Sequence, residues 1–132
     1  MKKYLSINSL IPSFNKKLNI PGDKSLSIRW ILLASKALGK SRAFNLLESE
    51  DVMNAIISMR KLGVKIIKKE KYYEVNGVGL NGFEHKDNII INAGNSGTFA
   101  RLLCGALAGD VKNVKIVGDN SLSKRDFSRV VK

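Results

Sequence analysis

The sequence predicts an α/β (α+β) fold of repeated β-α-β-α-β-β units. One complete unit is expected over about residues 17–76 and a partial second unit over about residues 88–132. Short apolar stretches of strand length alternate with longer stretches at helical spacing. The order of strand, glycine turn and helix also occurs twice. A shift of 72 positions superimposes three identical pairs: Gly22 on Gly94, Arg29 on Arg101, and Ser49 on Ser121.

The first unit is predicted to begin with a strand over residues 17–20, which ends at Pro21-Gly22. A helix follows over residues 25–38, because its apolar side chains recur at helical spacing and Gly39 closes it. The alternating stretch 41–47 then predicts a second strand.

A second helix begins after Ser49, which is a good N-cap residue, and ends at Gly63. The next two short strands, over residues 64–68 and 72–77, are separated by a polar link. Their closeness in sequence predicts a hairpin, which completes the first unit.

The second unit repeats this order. It has a strand over 88–92, a glycine turn, a helix over 98–109 and a strand over 113–118. Residues 120–132 begin another helical pattern, within which the sequence ends. The second unit is therefore expected to be incomplete.

The chain is strongly basic: 23 Lys and Arg against 11 Asp and Glu give a net charge of +12. This excess favours anionic partners. Nucleic-acid binding is not the favoured function, because the aromatic residues (7%) lie among apolar neighbours and the lysines form scattered pairs such as Lys16-Lys17. Small phosphorylated molecules fit the pattern better.

Disulfide, metal and membrane functions are not expected. Cys104 and His85 are the only residues of their types, so neither a disulfide within the chain nor a metal site has the residues it needs. No cofactor is therefore predicted. No apolar run has the length of a membrane span, and Pro12 interrupts the apolar start of the chain. These features predict a cytoplasmic protein that does not contact membranes.

Two phosphate-binding motifs are present only in part. Gly77, Gly79 and Gly82 match the G-x-G-x-x-G dinucleotide pattern, but a loop-like stretch follows where that motif requires a helix. Around Lys24, a Walker A motif would need glycines at the positions that Asp23 and Leu18 occupy. Neither motif is expected to bind a nucleotide.

Three basic turns nevertheless point to an anion site. Lys24, Ser25 and Arg29 lie at the start of the first helix, where unpaired backbone N–H groups favour anions. Alone, this stretch fits a capping serine beside solvated basic side chains equally well. The stretches 92–101 and 118–129 repeat the arrangement, so a shared anion site at one end of a sheet is predicted.

The motifs PGDKSLSIR, NLLESEDV, GNSGTFARLL and GDNSLSKRDFSRVV resemble, in order and spacing, the 5-enolpyruvylshikimate-3-phosphate synthase family. The resemblance runs from about Lys17 to Lys132 and implies the N-terminal part of such an enzyme. Family members consist of two domains of such repeats, are usually monomeric, and transfer the enolpyruvyl group of phosphoenolpyruvate to the 5-hydroxyl of shikimate 3-phosphate.

The resemblance also implies roles for individual residues. Lys24 would contact both substrates, and Ser25 and Arg29 would hold shikimate 3-phosphate. Phosphoenolpyruvate would be bound by Asn95, Gly97 and Arg125. Thr98 and Arg101 would support the phosphoenolpyruvate loop. Asp126 is a departure, because the family usually has proline there; the carboxylate would either weaken the hold of the preceding arginine on an anion or cap the next helix.

The acid–base groups of the reaction lie in a part of the family that this sequence lacks, so no catalytic residue is predicted. The 132 residues are expected to need that C-terminal part and to be inactive alone. Two alternatives remain. One is UDP-N-acetylglucosamine enolpyruvyl transferase, although that family typically has Lys-Asn in place of Lys24-Ser25. The other is a module that binds phosphates or polyanions without chemistry.

Overall fold

The computed structural model describes residues 4–6, 8–10, 12–80, 82–109 and 112–130. Three helices and five strands lie between residues 24 and 117 of the described ranges. Their order is α1 (Lys24–Lys36), β1 (Leu38–Phe44), α2 (Glu50–Lys61), β2 (Lys65–Lys68), β3 (Tyr72–Val78), β4 (Ile89–Asn92), α3 (Gly97–Leu107) and β5 (Val114–Val117), followed by a short 3-10 turn (Leu122–Lys124). None of the helices in the described ranges is long and apolar enough to cross a membrane.

The strands form two sheets. In the antiparallel sheet, β3 lies between β1 and β2, so the predicted β2–β3 hairpin is confirmed. In the second sheet β4 pairs with β5 in parallel. Parallel neighbours require a crossover, which α3 supplies, as the repeat predicts. At a shift of 72 positions, α1 would cover residues 96–108, within one residue of α3 at each end.

Two predicted elements are wrong. Residues 17–20 form no strand: none of the described strands pairs with them, and their apolar side chains Leu18 and Ile20 are exposed. The helix predicted from residue 120 is only a 3-10 turn, after which Arg125 adopts an extended conformation. Beyond this point the Asp126 carboxylate accepts the Ser128 N–H, a donor that a continuing helix would use for its own hydrogen bonding. Residues 131 and 132 of that prediction lie outside the described ranges.

Other predicted boundaries shift by a few residues. Helix α1 ends at Lys36, and Gly39 lies inside β1, opposite Gly77 of β3. Strand β1 ends at Phe44 because Asn45 turns the chain with a φ of 57°. Helix α2 ends as predicted before Gly63, whose φ of 88° suits glycine. The limits of the two repeat units stay a prediction.

The hydrophobic core holds the three helices against both sheets. Helix α1 contacts α2, α3 and β3. The largest fully buried side chains include Phe99, Ile28, Ile31, Ile56, Met59 and Leu103. Phe99 lies two residues into α3, so the core fixes the start of this helix and with it the turn between β4 and α3.

Replacing Phe99 with alanine is expected to lower the free energy of unfolding by about 3–5 kcal/mol, because a buried ring is lost and a cavity remains. Urea denaturation measures the change. Leu33→Ala is the matched control: Leu33 is exposed on α1, and we expect a change within about 0.5 kcal/mol. An equal effect of both substitutions would contradict this description of the core.

Glu48, in the loop between β1 and α2, holds the hairpin to that loop. Lys68 Nζ donates to Glu48 Oε2 at 2.8 Å, and the Tyr73 hydroxyl donates to Oε1 at 2.9 Å. The hydrogen bond from Lys68, followed by that from Tyr73, lowers the pKa of the Glu48 carboxyl. A lowered pKa means that the ionised carboxylate stabilises the folded state.

Glu48→Gln is therefore expected to lower the melting temperature at pH 7. The stabilisation by Glu48 is present above the carboxyl pKa of the unfolded chain and is lost as the pH falls through the lower pKa of the folded state. The difference between the two proteins should thus disappear at acidic pH. Glu70→Gln removes the same charge from the exposed β2–β3 turn and serves as control. A difference that persists in full at pH 3 would contradict the assignment.

Candidate anion-binding site

The first basic turn lies at the start of α1, and Asp23 caps it. Asp23 Oδ1 accepts the Leu26 N–H at 2.7 Å, and the Asp23 carbonyl accepts the Ser27 N–H at 3.0 Å. The N-cap is thus Asp23 and not Ser25, which lies within the first helical turn. The Ser25 hydroxyl makes no hydrogen bond to the described residues, so it remains available as a donor.

Lys24 is paired with an acidic residue that the sequence analysis did not include in the site. Its Nζ lies 3.0 Å from Asp51 Oδ2, in the first turn of α2. The Lys24 side chain is 54% exposed, so it remains accessible to a ligand while Asp51 holds it in place. The only signal in the sequence was an acidic residue at a helix start, which is also the ordinary preference of the helix dipole.

Arg29 lies one turn further along α1, at the spacing that puts it on the same face as Ser25. It is exposed and borders a groove between α1 and α3, which Leu32 and Leu102 also line. No side chain in the described part of the chain forms an ion pair with it. Its forked set of donors is therefore available to a ligand from solvent.

The second basic turn joins β4 to α3. Gly94, with a φ of 57°, donates its N–H to Asn92 Oδ1 at 2.9 Å. Ser96 caps α3 by accepting the Phe99 N–H at 3.3 Å. The Gly97 N–H donates to the Asn95 carbonyl at 3.1 Å. A ligand at Gly97 would have to replace this last contact.

Two arginines converge on Gly97. A side-chain carbon at this position would lie 2.8 Å from Arg125 Nη1 and 2.9 Å from Arg101 Nη1. Only glycine allows both guanidinium groups to come so close to the backbone. The result is a concentration of positive charge at the N-terminus of α3, where the helix dipole also favours an anion.

Arg101 connects α3 to the segment after β5. Its Nη2 donates to the Asp126 carbonyl at 2.9 Å, and its guanidinium lies 4.9 Å from the centre of the Phe127 ring. The Thr98 side chain, in contrast, is exposed, and its hydroxyl makes no hydrogen bond to the described residues. Support of the loop by Thr98 therefore stays a prediction.

Arg125 is linked through Asn95 to a second acidic residue, Asp119, which the sequence did not identify. Its Nη2 donates to Asn95 Oδ1 at 2.6 Å, and Asn95 Nδ2 donates to Asp119 Oδ2 at 2.6 Å. The Leu122 N–H, followed by the Asn95 amide, lowers the pKa of the Asp119 carboxyl. The carboxylate is therefore ionised at neutral pH.

The Asp126 carboxylate does not pair with Arg125. Its two oxygens accept the Ser128 N–H and hydroxyl, each at 2.7 Å. These hydrogen bonds, that of the N–H first, lower the pKa of the Asp126 carboxyl. The carboxylate thus closes a local turn with Ser128 and caps no helix, since none follows within the described ranges; whether it weakens the hold of Arg125 on an anion stays a prediction.

Helix α2 connects the two basic turns. Asp51 pairs with Lys24, and one turn further along α2 the Asn54 side chain lies against Gly94. Four of the predicted residues lie together at the second turn. Arg125 binds the Asn95 side chain, and Arg101 and Arg125 both approach Gly97. Lys24, Ser25 and Arg29 form a second group at the start of α1.

Within the described ranges, no cluster of three or more His, Cys, Asp or Glu side chains is suited to a metal ion.

Comparison with known proteins gives one consistent family. A family model described as EPSP synthase (3-phosphoshikimate 1-carboxyvinyltransferase) matches residues 11–132. Two Streptococcus pyogenes proteins of different serotypes, each named 3-phosphoshikimate 1-carboxyvinyltransferase, are 43% identical over 114 residues. The match covers 86% of this chain and 26% of each relative, so the chain spans about a quarter of their length.

Solved structures agree with the sequence matches. An EPSP synthase from Acinetobacter baumannii superimposes with a TM-score of 0.80 at 36% identity, covering 88% of this chain and 26% of that one. A second structure from the same organism, at 2.37 Å, gives the same values. The fold and the sequence thus lead to the same family.

Proposed function

The chain belongs to the EPSP synthase family, and we propose that it supplies part of the substrate site of a 3-phosphoshikimate 1-carboxyvinyltransferase. The full-length protein would transfer the enolpyruvyl group of phosphoenolpyruvate to the 5-hydroxyl of shikimate 3-phosphate, with release of phosphate. The observation that carries the proposal is the approach of Arg101 and Arg125 to Gly97 at the start of α3. Such a site suits a small, highly charged anion.

In this proposal the first basic turn binds one substrate, and the second, together with Arg125 of the third, binds the other. Phosphoenolpyruvate binds at the second turn, to Asn95, Arg125 and the Gly97 N–H, which exchanges its 3.1 Å contact with the Asn95 carbonyl for the ligand. Shikimate 3-phosphate binds at the first turn, to Ser25 and Arg29. Both of these α1 residues have donors not engaged by the described part of the chain.

Lys24 would serve both substrates. It projects from the start of α1, and Asp51 of α2 holds its Nζ at 3.0 Å. Because α2 also contacts the second turn through Asn54, an ammonium group at this place fits between the two anions. These residues bind, orient and supply fixed positive charge, which are large contributions to catalysis with anionic substrates. None of them is assigned a proton transfer.

The rest of the reaction is assigned to residues outside this chain. A cytoplasmic location and a monomeric state belong to the same proposal. Because the chain spans 26% of the length of its relatives, the proposal concerns the full-length protein, and the 132 residues alone are expected to show no turnover.

The test is a phosphate-release assay on the purified full-length protein with phosphoenolpyruvate and one of two acceptors. Release with shikimate 3-phosphate and none with UDP-N-acetylglucosamine is the expected result. Release with the UDP-sugar alone would assign the protein to the related cell-wall reaction. No release with either acceptor, together with salt-sensitive binding of polyanions, would favour a binding module, which the net charge of +12 also allows.

A further inference from the structure

Asp119 lies directly after the turn that ends β5 and is tightly bound there. Its Oδ1 accepts the Leu122 N–H at 2.7 Å, and its backbone N–H donates to the Gly94 carbonyl at 3.0 Å. The second contact joins the β5 turn to the β4 turn. The position of the carboxylate is therefore fixed by the backbone on both sides of the site.

The other carboxylate oxygen, Oδ2, determines how the Asn95 amide is oriented. An ionised carboxylate can only accept hydrogen bonds, and a guanidinium can only donate them. Asn95 lies between Asp119 and Arg125, at 2.6 Å from each. The amide must consequently turn its NH2 group to Asp119 and its oxygen to Arg125, and the opposite orientation would break both contacts.

The amide oxygen in turn holds Arg125. Arg125 Nη2 donates to this oxygen at 2.6 Å and lies 3.5 Å from the Ser121 hydroxyl. With Nη2 engaged, Nη1 remains directed to the backbone at Gly97. If the amide were reversed, its NH2 group would face the guanidinium, which would lose its acceptor and move away.

We propose that Asp119 is a positioning residue which, by fixing the orientation of the Asn95 amide, holds the Arg125 guanidinium in place for the anionic substrate at Gly97. The proposal rests on the proposed function for the identity of that substrate, phosphoenolpyruvate. The hydrogen-bonded link itself depends only on the three side chains. Asp119 would touch neither substrate.

The test compares Asp119→Asn with Asp126→Asn in the full-length protein. Asparagine at 119 keeps an oxygen for the Leu122 N–H, so the cap is retained, but its own NH2 group competes for the Asn95 oxygen. The control removes the same charge from the same segment, where the carboxylate accepts hydrogen bonds only from Ser128 among the described residues and acts on Arg101 through its charge alone. Circular dichroism verifies that both variants are folded.

Two measurements are made on each variant. The first is the side-chain amide NMR signal of Asn95 without ligand, which we expect to shift in Asp119→Asn and not in Asp126→Asn. The second is the dissociation constant of phosphoenolpyruvate. We expect it to rise about tenfold or more in Asp119→Asn, as for the loss of a hydrogen bond to a charged group, and less than about twofold in the control.

An unchanged amide signal, or a changed signal with unchanged phosphoenolpyruvate binding, would overturn the inference. A tenfold loss in both variants would also overturn it, because charge alone would then account for the effect. If the unaltered protein binds no phosphoenolpyruvate, the proposed function fails. The amide signal then still decides whether Asp119 orients Asn95.

Discussion

Replacing Lys24 with glutamine is expected to lower kcat/KM of the full-length protein by about 100-fold or more, as for the removal of a preorganised charged donor from an active site. Lys24 Nζ is 3.0 Å from Asp51 and accessible at the start of α1. In the proposed function this ammonium contacts both anionic substrates. Glutamine keeps most of the side-chain length and removes the charge.

Two controls separate this effect from simpler ones. Lys71→Gln removes an equal charge from the exposed β2–β3 turn and should leave kcat/KM within about twofold. Lys24→Gln combined with Asp51→Asn should stay as inactive as Lys24→Gln. Recovery in this double variant would mean that an unpaired Asp51 carboxylate, and not the missing ammonium, causes the loss.

Gly97→Ala is expected to raise KM for phosphoenolpyruvate by about tenfold or more, with a much smaller effect on the binding of shikimate 3-phosphate. The added methyl group would lie 2.8 Å from Arg125 Nη1 and 2.9 Å from Arg101 Nη1, closer than normal contact. The two guanidinium groups would have to move away from the backbone. Even a small displacement of the two guanidinium groups weakens phosphoenolpyruvate binding, because their hydrogen bonds to the anion depend on orientation.

Gly105→Ala is the matched control on the same helix. A methyl group there meets no atom within 4 Å. Alanine is also the better helix former, so we expect unchanged kinetics and a stability gain of up to about 1 kcal/mol. Steady-state kinetics with each substrate varied in turn measures both variants. Equal KM values for phosphoenolpyruvate in the two variants would contradict the geometry described at Gly97.

The sequence predicted those helices and strands whose formation depends mainly on the spacing of nearby apolar residues. Helix α1 and its repeat α3 follow from helical spacing of apolar residues, and the β2–β3 hairpin follows from two alternating stretches joined by a short link. The strand predicted over 17–20 fails because a strand exists only with a neighbour, and apolar alternation does not say whether one is present. The helix predicted from residue 120 stops after Lys124, where Arg125 is extended and the Asp126 carboxylate takes up the Ser128 N–H.

The candidate site was predicted in part for the same reason. Basic residues near predicted helix starts led to Lys24, Arg29, Arg101 and Arg125 as candidates. The acidic residues that hold two of them, Asp51 and Asp119, were not found. Asp51 lies 27 positions after Lys24 in the sequence, and only the packing of α1 on α2 brings them together. Asp119 follows a strand, where aspartate is an ordinary turn residue.

The most direct test of the account is a crystal structure of the full-length protein with phosphoenolpyruvate and shikimate 3-phosphate bound. We expect phosphoenolpyruvate on Arg125 and the Gly97 N–H, and the phosphate of shikimate 3-phosphate on Ser25 and Arg29, with Lys24 between the two ligands. Binding of either ligand at a place that involves neither basic turn would contradict the claim that these turns form the substrate site.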